Sequence, residues 1–457
     1  MVGEFPEGVN PHYLKHLRAV IASHQVAAAS HVIVGNGIRL LVPGTPIDAD
    51  MLDRVLQHVL RTPIEECLQV VDGITAASFA PIGETLLAKH PLLRALCKAY
   101  GAPAPESLAA LPLSMPVQAL LTVYLQSQPG RLDHIVGVAM LALSLARRIL
   151  PGDTERHNAL ALAGLLHDVG ELYMDPVHLQ KQAPQAEDPW HHFLDHPRAG
   201  HRVLLGMDGA GPLVAVAVLQ HHERMDGYGY PDAVAGTAFS LDGQIVAAAD
   251  WLMALVETDA APLTRARMAS QLVPGEFSPA VLEAIATAAR SAPDPLVELA
   301  QAPPLQDAVP RILRLAETLR RARQAQDWLD ERMAAVSPRL RAVLEAGEQR
   351  MARIQASFSS TGLDAHSPAQ LLAELDAMRD ATVYMEIMTL VGELEWRMRE
   401  LQRKQGGRAE LLKPAERLVV EEWMARLQGA RRTATSVAAA PRGDASNQAS
   451  AKPSSVA

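Results

Sequence analysis

Seven histidine and aspartate side chains between positions 134 and 250 have types and spacings that suit metal-ion chemistry. They occupy five segments, each an apolar stretch that predicts a helix and carries its polar residue usually near one end. Burying polar groups on such helices is costly unless something coordinates them, so the five segments together indicate a metal site. The residues are His134, His167, Asp168, His196, His221, His222 and Asp250.

Their chemistry narrows the choice of metal. Imidazole nitrogens combined with carboxylate oxygens suit Fe, Mn or Zn. Seven ligands exceed the three or four that one tetrahedral zinc uses. If Asp168 bridges two ions about 3.5–4 Å apart, all seven are used and a hydroxide lies between the ions. Such a pair would supply a nucleophile at neutral pH and neutralise charge on an attacked phosphodiester.

Each of these residues taken alone has a simpler interpretation. A lone histidine such as His134 at a helix end is more often a cap or a surface residue. His221 and His222 point about 100° apart on a helix, which fits one core and one solvated side chain. The metal hypothesis therefore depends on the whole set.

Four segments, in this order and spacing, resemble the HD-GYP family of bacterial metal-dependent phosphodiesterases, a branch of the HD phosphohydrolase superfamily. They read HDVGELYMDP, DHPRAG, HHERMDGYGYPD and IVAAADWLMAL. The resemblance covers about residues 128–290, since GEFSPAVLEAI is similar to the closing helix of that domain. It implies an all-α, HD-type helical bundle that hydrolyses cyclic di-GMP to pGpG or GMP. It also implies two divalent transition metal ions, Fe or Mn, as cofactors.

The resemblance assigns roles to individual residues. The first metal would be surrounded by His134, His167, Asp168 and Asp250. Asp168 would bridge to a second metal, completed by His196, His221 and His222. A loop of Gly229, Tyr230 and Pro231 would form one wall of the site and bind substrate. Gly227 and Gly229 would permit positive-φ turns in that loop, and Pro231 would stiffen its exit.

The sequence departs from the family pattern at three places. The lysine of the HD-x-G-K motif, a phosphate contact, is Glu171 here, which either takes a catalytic part at the metals or is a solvated residue after a helix end. The arginine expected after the last metal aspartate is missing, and Arg265 or Arg267 would substitute from a shifted position. The carboxylate of trinuclear members is replaced by Gly130, which favours two metals. Lys181 matches a lysine common in the family and is a further candidate phosphate contact.

Three functions remain open on this evidence. The leading one is cyclic di-GMP hydrolysis through a metal-bridging hydroxide. The second is a catalytically weak or inactive receptor or scaffold that kept the metal site and the loop. The third is an HD phosphohydrolase acting on another nucleotide.

Around this region the pattern is mainly helical, because apolar residues recur at three- and four-residue steps. Before it, two short branched-apolar runs flank Gly35-Asn36-Gly37, which predicts a hairpin, and a helix is expected from Asp48 through Leu60. The Pro- and Ala-containing stretch 102–116 is expected to be a linker. After it, Ser367-Pro368-Ala369-Gln370 is a capping box that opens a long amphipathic helix. The predicted units are a regulatory helical module with a hairpin (1–125), the HD-GYP domain (128–290), a helical region (300–430) and a disordered tail (431–457).

Composition limits the cellular setting. The 457 residues carry a net charge of −9, which gives no general attraction to DNA, RNA or anionic membrane. Two cysteines exclude a disulfide framework and fit a reducing cytoplasm, and no apolar run approaches the length of a membrane span. We expect a cytoplasmic protein whose partner is a cyclic dinucleotide, with a homodimer formed through the helical regions.

Overall fold

A computed structural model describes residues 9–98, 100–176, 194–258, 261–272, 275–292, 304–333, 336–359 and 381–429, with the single positions 370, 373 and 377. The regular secondary structure of these residues is helical apart from two small two-stranded sheets, which confirms the predicted all-α class. One continuous apolar core runs from Tyr13 to Leu427. No helix in this described part combines the length and the apolar character needed to cross a bilayer.

The N-terminal region combines short helices with the two sheets. Strand β1 pairs antiparallel with β4, and β2 pairs with β3 as the predicted hairpin, whose turn contains Gly37 at a φ of 88°. The elements are α1 (Pro11–Ser23), β1 (Val26–Ala28), β2 (Val32–Ile33), β3 (Arg39–Leu41), α2 (Ala49–Val55), β4 (Leu68–Val70), α3 (Phe79–Lys89), α4 (Pro91–Leu96), α5 (Ala104–Ala109) and α6 (Met115–Ser127).

Two expectations for this region are wrong in part. Helix α2 starts as predicted, with the Asp48 carboxylate accepting a hydrogen bond from the backbone of Met51, but it ends at Val55. The reason is tertiary pairing, because Leu60 forms a β-bridge with Val34 and the Gly35 amide donates to the carbonyl of Val59. The chain therefore leaves the helix to complete the hairpin.

The stretch 102–116 is not a loose linker. It contains α5 and the start of α6, and Ala104 and Leu108 are buried where α5 packs against α3 and α7. Ser114 caps α6 by accepting a hydrogen bond from the amide of Val117. The N-terminal region is thus packed directly on the central helices.

The central region is a bundle built around α7. Residues 134–146 of α7 are all buried, and α7 packs against α8 and α11. A Cβ on Gly164 would lie 2.7 Å from the backbone of Ala139, so this glycine allows α7 and α8 to approach closely. The helices are α7 (Leu132–Ile149), α8 (Thr154–Leu166), α9 (His196–Leu204), α10 (Gly211–Gln220), α11 (Leu241–Thr258), α12 (Pro262–Arg267), α13 (Ala269–Leu272) and α14 (Pro279–Arg290), with a 3-10 turn at Val169–Tyr173.

The C-terminal region consists of longer helices that pack on one another and on the central bundle. They are α15 (Leu305–Met333), α16 (Pro338–Ser359), α17 (Ala381–Glu410) and α18 (Pro414–Gln428). Met388, Val391, Leu394 and Leu401 lie on the buried face of α17, as the amphipathic pattern predicts. The predicted capping box at Ser367, Lys181 and the tail from 431 onward lie outside the described residues.

Candidate metal centre

Helix ends place most of the seven candidate ligands. His134 lies in the first turn of α7, His167 caps the C-terminus of α8, and His196 is the first residue of α9. His221 caps the C-terminus of α10, while Asp250 lies midway along α11. A side chain at a helix end can point away from the apolar face of its helix. The polar groups therefore converge at one place while the helix faces inside the bundle stay apolar.

The structure brings all seven side chains together in two groups. Within each group the ligand atoms lie within 4.8 Å of one another. One group contains His134, His167 and Asp250; the other contains Asp168, His196, His221 and His222.

Asp168 stands between the two groups. Its Oδ2 lies 3.1 Å from Nε2 of His167, which belongs to the first group. Its Oδ1 lies 3.4 Å from Nε2 of His196 and 3.6 Å from Nε2 of His221, which belong to the second. One carboxylate therefore offers one oxygen to each group, which is the geometry that a shared ligand needs.

Hydrogen bonds fix the orientation of the imidazoles. Nδ1 of His167 is 2.9 Å from the carbonyl of Gly164, and Nδ1 of His221 is 2.6 Å from the carbonyl of Val218. A carbonyl only accepts, so each Nδ1 carries a proton and each Nε2 is the nitrogen that faces the centre. Backbone partners of this kind hold metal-ligating histidines in one tautomer.

The Glu257 carboxylate orients the imidazole of His134, and the sequence analysis did not identify this residue. Its Oε1 lies 2.8 Å from Nδ1 of His134. Glu257 follows Asp250 by seven residues and so lies on the same face of α11, which is the signal that could have found it. Nε2 of His134 lies 3.2 Å from Nε2 of His167. Two lone pairs this close repel unless a proton or a cation lies between them, so the residues present fit a bound metal.

The charges in the centre are strongly coupled. Burial alone would lower the pKa of His167, but the adjacent Asp168 carboxylate outweighs it and raises that pKa to about 9. Burial likewise opposes ionisation of Asp168, yet contact with His167 holds its pKa well below the usual value. Burial lowers the pKa of His221 and of His222, which keeps both imidazoles neutral as ligands.

Glu171 lies beside the centre but in neither ligand group. It is 5% exposed, so its interpretation as a solvated residue is wrong. Its Oε1 is 3.6 Å from a guanidinium nitrogen of Arg131, and its Oε2 accepts a hydrogen bond from the Tyr124 hydroxyl at 3.3 Å. Burial, together with the negative charge of Asp168, raises the pKa of Glu171. Neither Arg131 nor Tyr124 was found from the sequence.

The Gly229–Pro231 loop lies against the second group. The Tyr230 ring stacks on His222 with centroids 4.5 Å apart. Gly227 has the expected positive φ of 72°, but Gly229 does not, and that part of the prediction is wrong. Gly229 is needed for a different reason, because a Cβ there would lie 2.4 Å from the Cα of Glu223. The carbonyl of Pro231 accepts a hydrogen bond from Arg198 at 2.8 Å.

Arg265, a candidate substrate contact, is held by a residue of the C-terminal helices. It lies on α12, and its guanidinium forms an ion pair with Glu393 of α17 at 3.4 Å. The side chain is largely buried, with 18% exposed. This pairing joins the central bundle to the C-terminal helices.

The C-terminal helices contact the residues directly before this loop. Lys404 donates to the carbonyl of Tyr228 at 3.0 Å, and the Tyr228 hydroxyl donates to the carbonyl of Leu401 at 3.3 Å. Arg350 of α16 forms buried ion pairs with Asp226 at 2.9 Å and with Glu276 at 2.6 Å. Residues 226–231 therefore contact the centre through Tyr230 and α16–α17 through Asp226 and Tyr228, a relation that the sequence did not reveal.

Comparisons with known proteins concern mainly the segment that carries these residues. Residues 131–255 match the model of the HD domain family. A cyclic di-GMP phosphodiesterase response regulator of Xanthomonas campestris is 35% identical over 130 residues, 28% of this chain and 32% of that protein. A cyclic di-GMP phosphodiesterase of Pseudomonas aeruginosa is 38% identical over 119 residues, 26% of this chain and 28% of that protein. A 3'3'-cGAMP-specific phosphodiesterase of Vibrio cholerae is 35% identical over 125 residues, 27% of this chain and 28% of that protein.

The matched segment thus spans about a third or less of these relatives. A solved HD-GYP-type protein of Bdellovibrio bacteriovorus aligns with 59% of this chain and 94% of its own, at 15% identity and a TM-score of 0.32. The family model and the curated relatives confirm the resemblance on which the sequence analysis relied. Residues 131–255 of this chain therefore match the HD domain family, and the chain is similar over part of its length to proteins named as cyclic di-GMP phosphodiesterases.

Proposed function

We propose that the protein is a metal-dependent phosphodiesterase that hydrolyses cyclic di-GMP to pGpG or GMP. The observation that carries the proposal is the pair of ligand groups that share Asp168, one oxygen facing each group. Two divalent ions, Fe or Mn, would supply a nucleophile at neutral pH and neutralise charge on the attacked phosphodiester.

The chain's own residues prepare the centre for this chemistry. His134, His167 and Asp250 would hold one ion, and His196, His221 and His222 the other. Gly164, Val218 and Glu257 fix the imidazole orientations, so that little rearrangement is needed when the ions bind. The buried position of these side chains lowers the local dielectric and strengthens their interaction with a cation.

The substrate class is supported by the loop and by the relatives. Tyr230 places an aromatic ring directly beside His222, where a bound nucleotide would meet it. The similar proteins are named as phosphodiesterases of cyclic di-GMP and of 3'3'-cGAMP, so both dinucleotides belong in the assay.

The test is hydrolysis of each dinucleotide by anaerobically purified, Fe- or Mn-loaded protein, followed by chromatography, with metal content measured in parallel. Asp168→Ala should abolish turnover and lower the metal content, because it removes the oxygens offered to both groups. The matched control is Asp133→Ala, which removes an exposed carboxylate one residue from His134. Metal and nucleotide bound without cleavage would instead make the protein a receptor, and wild-type protein without metal would refute the proposal.

A further inference from the structure

We propose that Arg131 is the cation that binds a phosphate oxygen of the substrate, and that Glu171 positions it. This inference rests on the proposed phosphodiesterase function. It assigns a role to a residue that no sequence motif marks.

The geometry places Arg131 at the edge of the centre. The residue directly precedes α7, three positions before His134. Its Nη2 donates to Oδ2 of Asp168 at 3.1 Å and lies 3.6 Å from Oε1 of Glu171. The Arg131 side chain is 36% exposed, whereas those of Asp168 and Glu171 are 7% and 6% exposed. The Arg131 side chain therefore lies between the buried carboxylates and solvent, from which a substrate would enter.

Glu171 is held so that it can orient this guanidinium. Its Oε2 accepts from the Tyr124 hydroxyl, and its Oε1 faces Arg131. Tyr124 is fully buried on α6, which fixes the direction of its hydroxyl. Because Tyr124 holds Oε2 of Glu171 in place, Oε1 is also fixed and limits the positions that the flexible Arg131 side chain adopts.

A guanidinium in this position has the chemistry for a phosphate. It carries five N–H donors in a rigid fork, and both ion pairs described above are made through Nη2. The fork matches the oxygens of a phosphodiester, and charge-assisted bonds of this type are stronger than neutral ones. Charge also develops on the phosphate during attack, and a fixed cation beside the centre stabilises it.

The charge balance explains how the chain tolerates a glutamate where the family pattern has lysine. An isolated Glu171 would repel an anionic substrate. Paired with Arg131, its charge is offset, and the guanidinium N–H groups that face neither carboxylate supply phosphate donors from a different element of the fold. Arg265, one of the candidates from the sequence, pairs with Glu393 of α17, whereas Arg131 contacts Asp168 of the centre itself.

The experiment measures equilibrium binding of a hydrolysis-resistant phosphorothioate analogue of cyclic di-GMP, and of inorganic phosphate, to the metal-loaded full chain. Arg131→Met should weaken analogue binding about ten- to a hundredfold, the usual cost of losing a charged hydrogen bond. Arg131→Lys should recover part of that loss. The charge-matched control is Arg290→Met, which breaks an exposed ion pair with Glu283 and should bind as wild type.

The double variant Arg131→Met/Glu171→Gln tests whether Arg131 binds the substrate phosphate or only offsets the charge of Glu171. Because it removes both charges, no Glu171 carboxylate is left buried without its cation. Weak binding at wild-type metal content is the expected result, and binding restored to the wild-type level would overturn the proposal. If the metal-loaded wild type binds neither probe, the proposed function itself fails; if it binds and Arg131→Met binds equally well, only the assignment of Arg131 fails.

Discussion

Replacing Arg350 with methionine should destabilise the protein more than the same replacement at an exposed arginine. The Arg350 side chain is 5% exposed and lies between three carboxylates, those of Asp226, Glu276 and Glu400, at 2.9, 2.6 and 3.3 Å. Removing one partner of a buried ion pair typically costs about 3–5 kcal/mol, because a charge is left unpaired away from water.

The remaining contacts set the size of the effect. Glu276 keeps Arg397 at 3.2 Å, Glu400 keeps Lys404 at 2.9 Å and Asp226 keeps Arg353 at 2.6 Å, so none of the three carboxylates loses its last cation. We therefore expect Arg350→Met to lower the free energy of unfolding by about 3 kcal/mol, the lower end of that range. The assay is urea-induced unfolding at pH 7, followed by far-ultraviolet circular dichroism.

Arg353 provides the matched control. It lies on the same helix, pairs with the same Asp226 at 2.6 Å, and is 36% exposed. Arg353→Met should cost at most about 1 kcal/mol, as exposed pairs do. Equal losses for the two variants, or a loss below about 1 kcal/mol for Arg350→Met, would refute the idea that this buried network holds the C-terminal helices to the loop.

Two further predictions concern acid stability and metal affinity. Burial opposes the ionisation of Glu276 and Glu400, but the neighbouring cations outweigh it and hold the pKa of Glu276 well below 4.5 and that of Glu400 at about 2. The two carboxylates therefore stabilise the folded protein fully above pH 4.5, and this contribution is lost as the pH falls toward 2. Between pH 5 and pH 3 the unfolding free energy of Glu276→Gln should therefore fall less steeply than that of wild type, and parallel slopes would contradict this. Glu257→Gln should weaken metal binding about ten- to a hundredfold, since His134 loses its charged orienting partner, and a competition titration with a chelator measures it. Unchanged metal affinity would mean that Glu257 does not orient the ligand.

The helical class and the ligand residues could be read from the sequence because their signals are local. Each candidate ligand sits on or next to a stretch of apolar periodicity, and His167-Asp168 and His221-His222 are adjacent pairs. The structure places all of them in two compact groups. No long-range information was needed to name them.

What failed depended on contacts distant in sequence. Strands β1 and β4 are three residues each and pair across about forty positions, too short for a periodic signal. Tyr124 meets Glu171 from a different helix, and Arg131 reaches Asp168 across 37 positions. Such partners depend on how α6 and α7 pack, and a single sequence does not carry that information.

The same packing bears on how this protein could be dissected into fragments. Residues 131–255 are the segment shared with the HD domain family, yet Tyr124, which fixes Glu171, lies before that segment, and Lys404, which holds Tyr228, lies far after it. Helix α1 also reaches the turn next to Asp168, where Tyr13 stacks on Tyr173 with centroids 5.2 Å apart. A fragment trimmed to the shared segment would keep every candidate ligand and lose the groups that position their neighbours. Substitutions in the flanking regions can therefore tune the centre while its ligands stay the same.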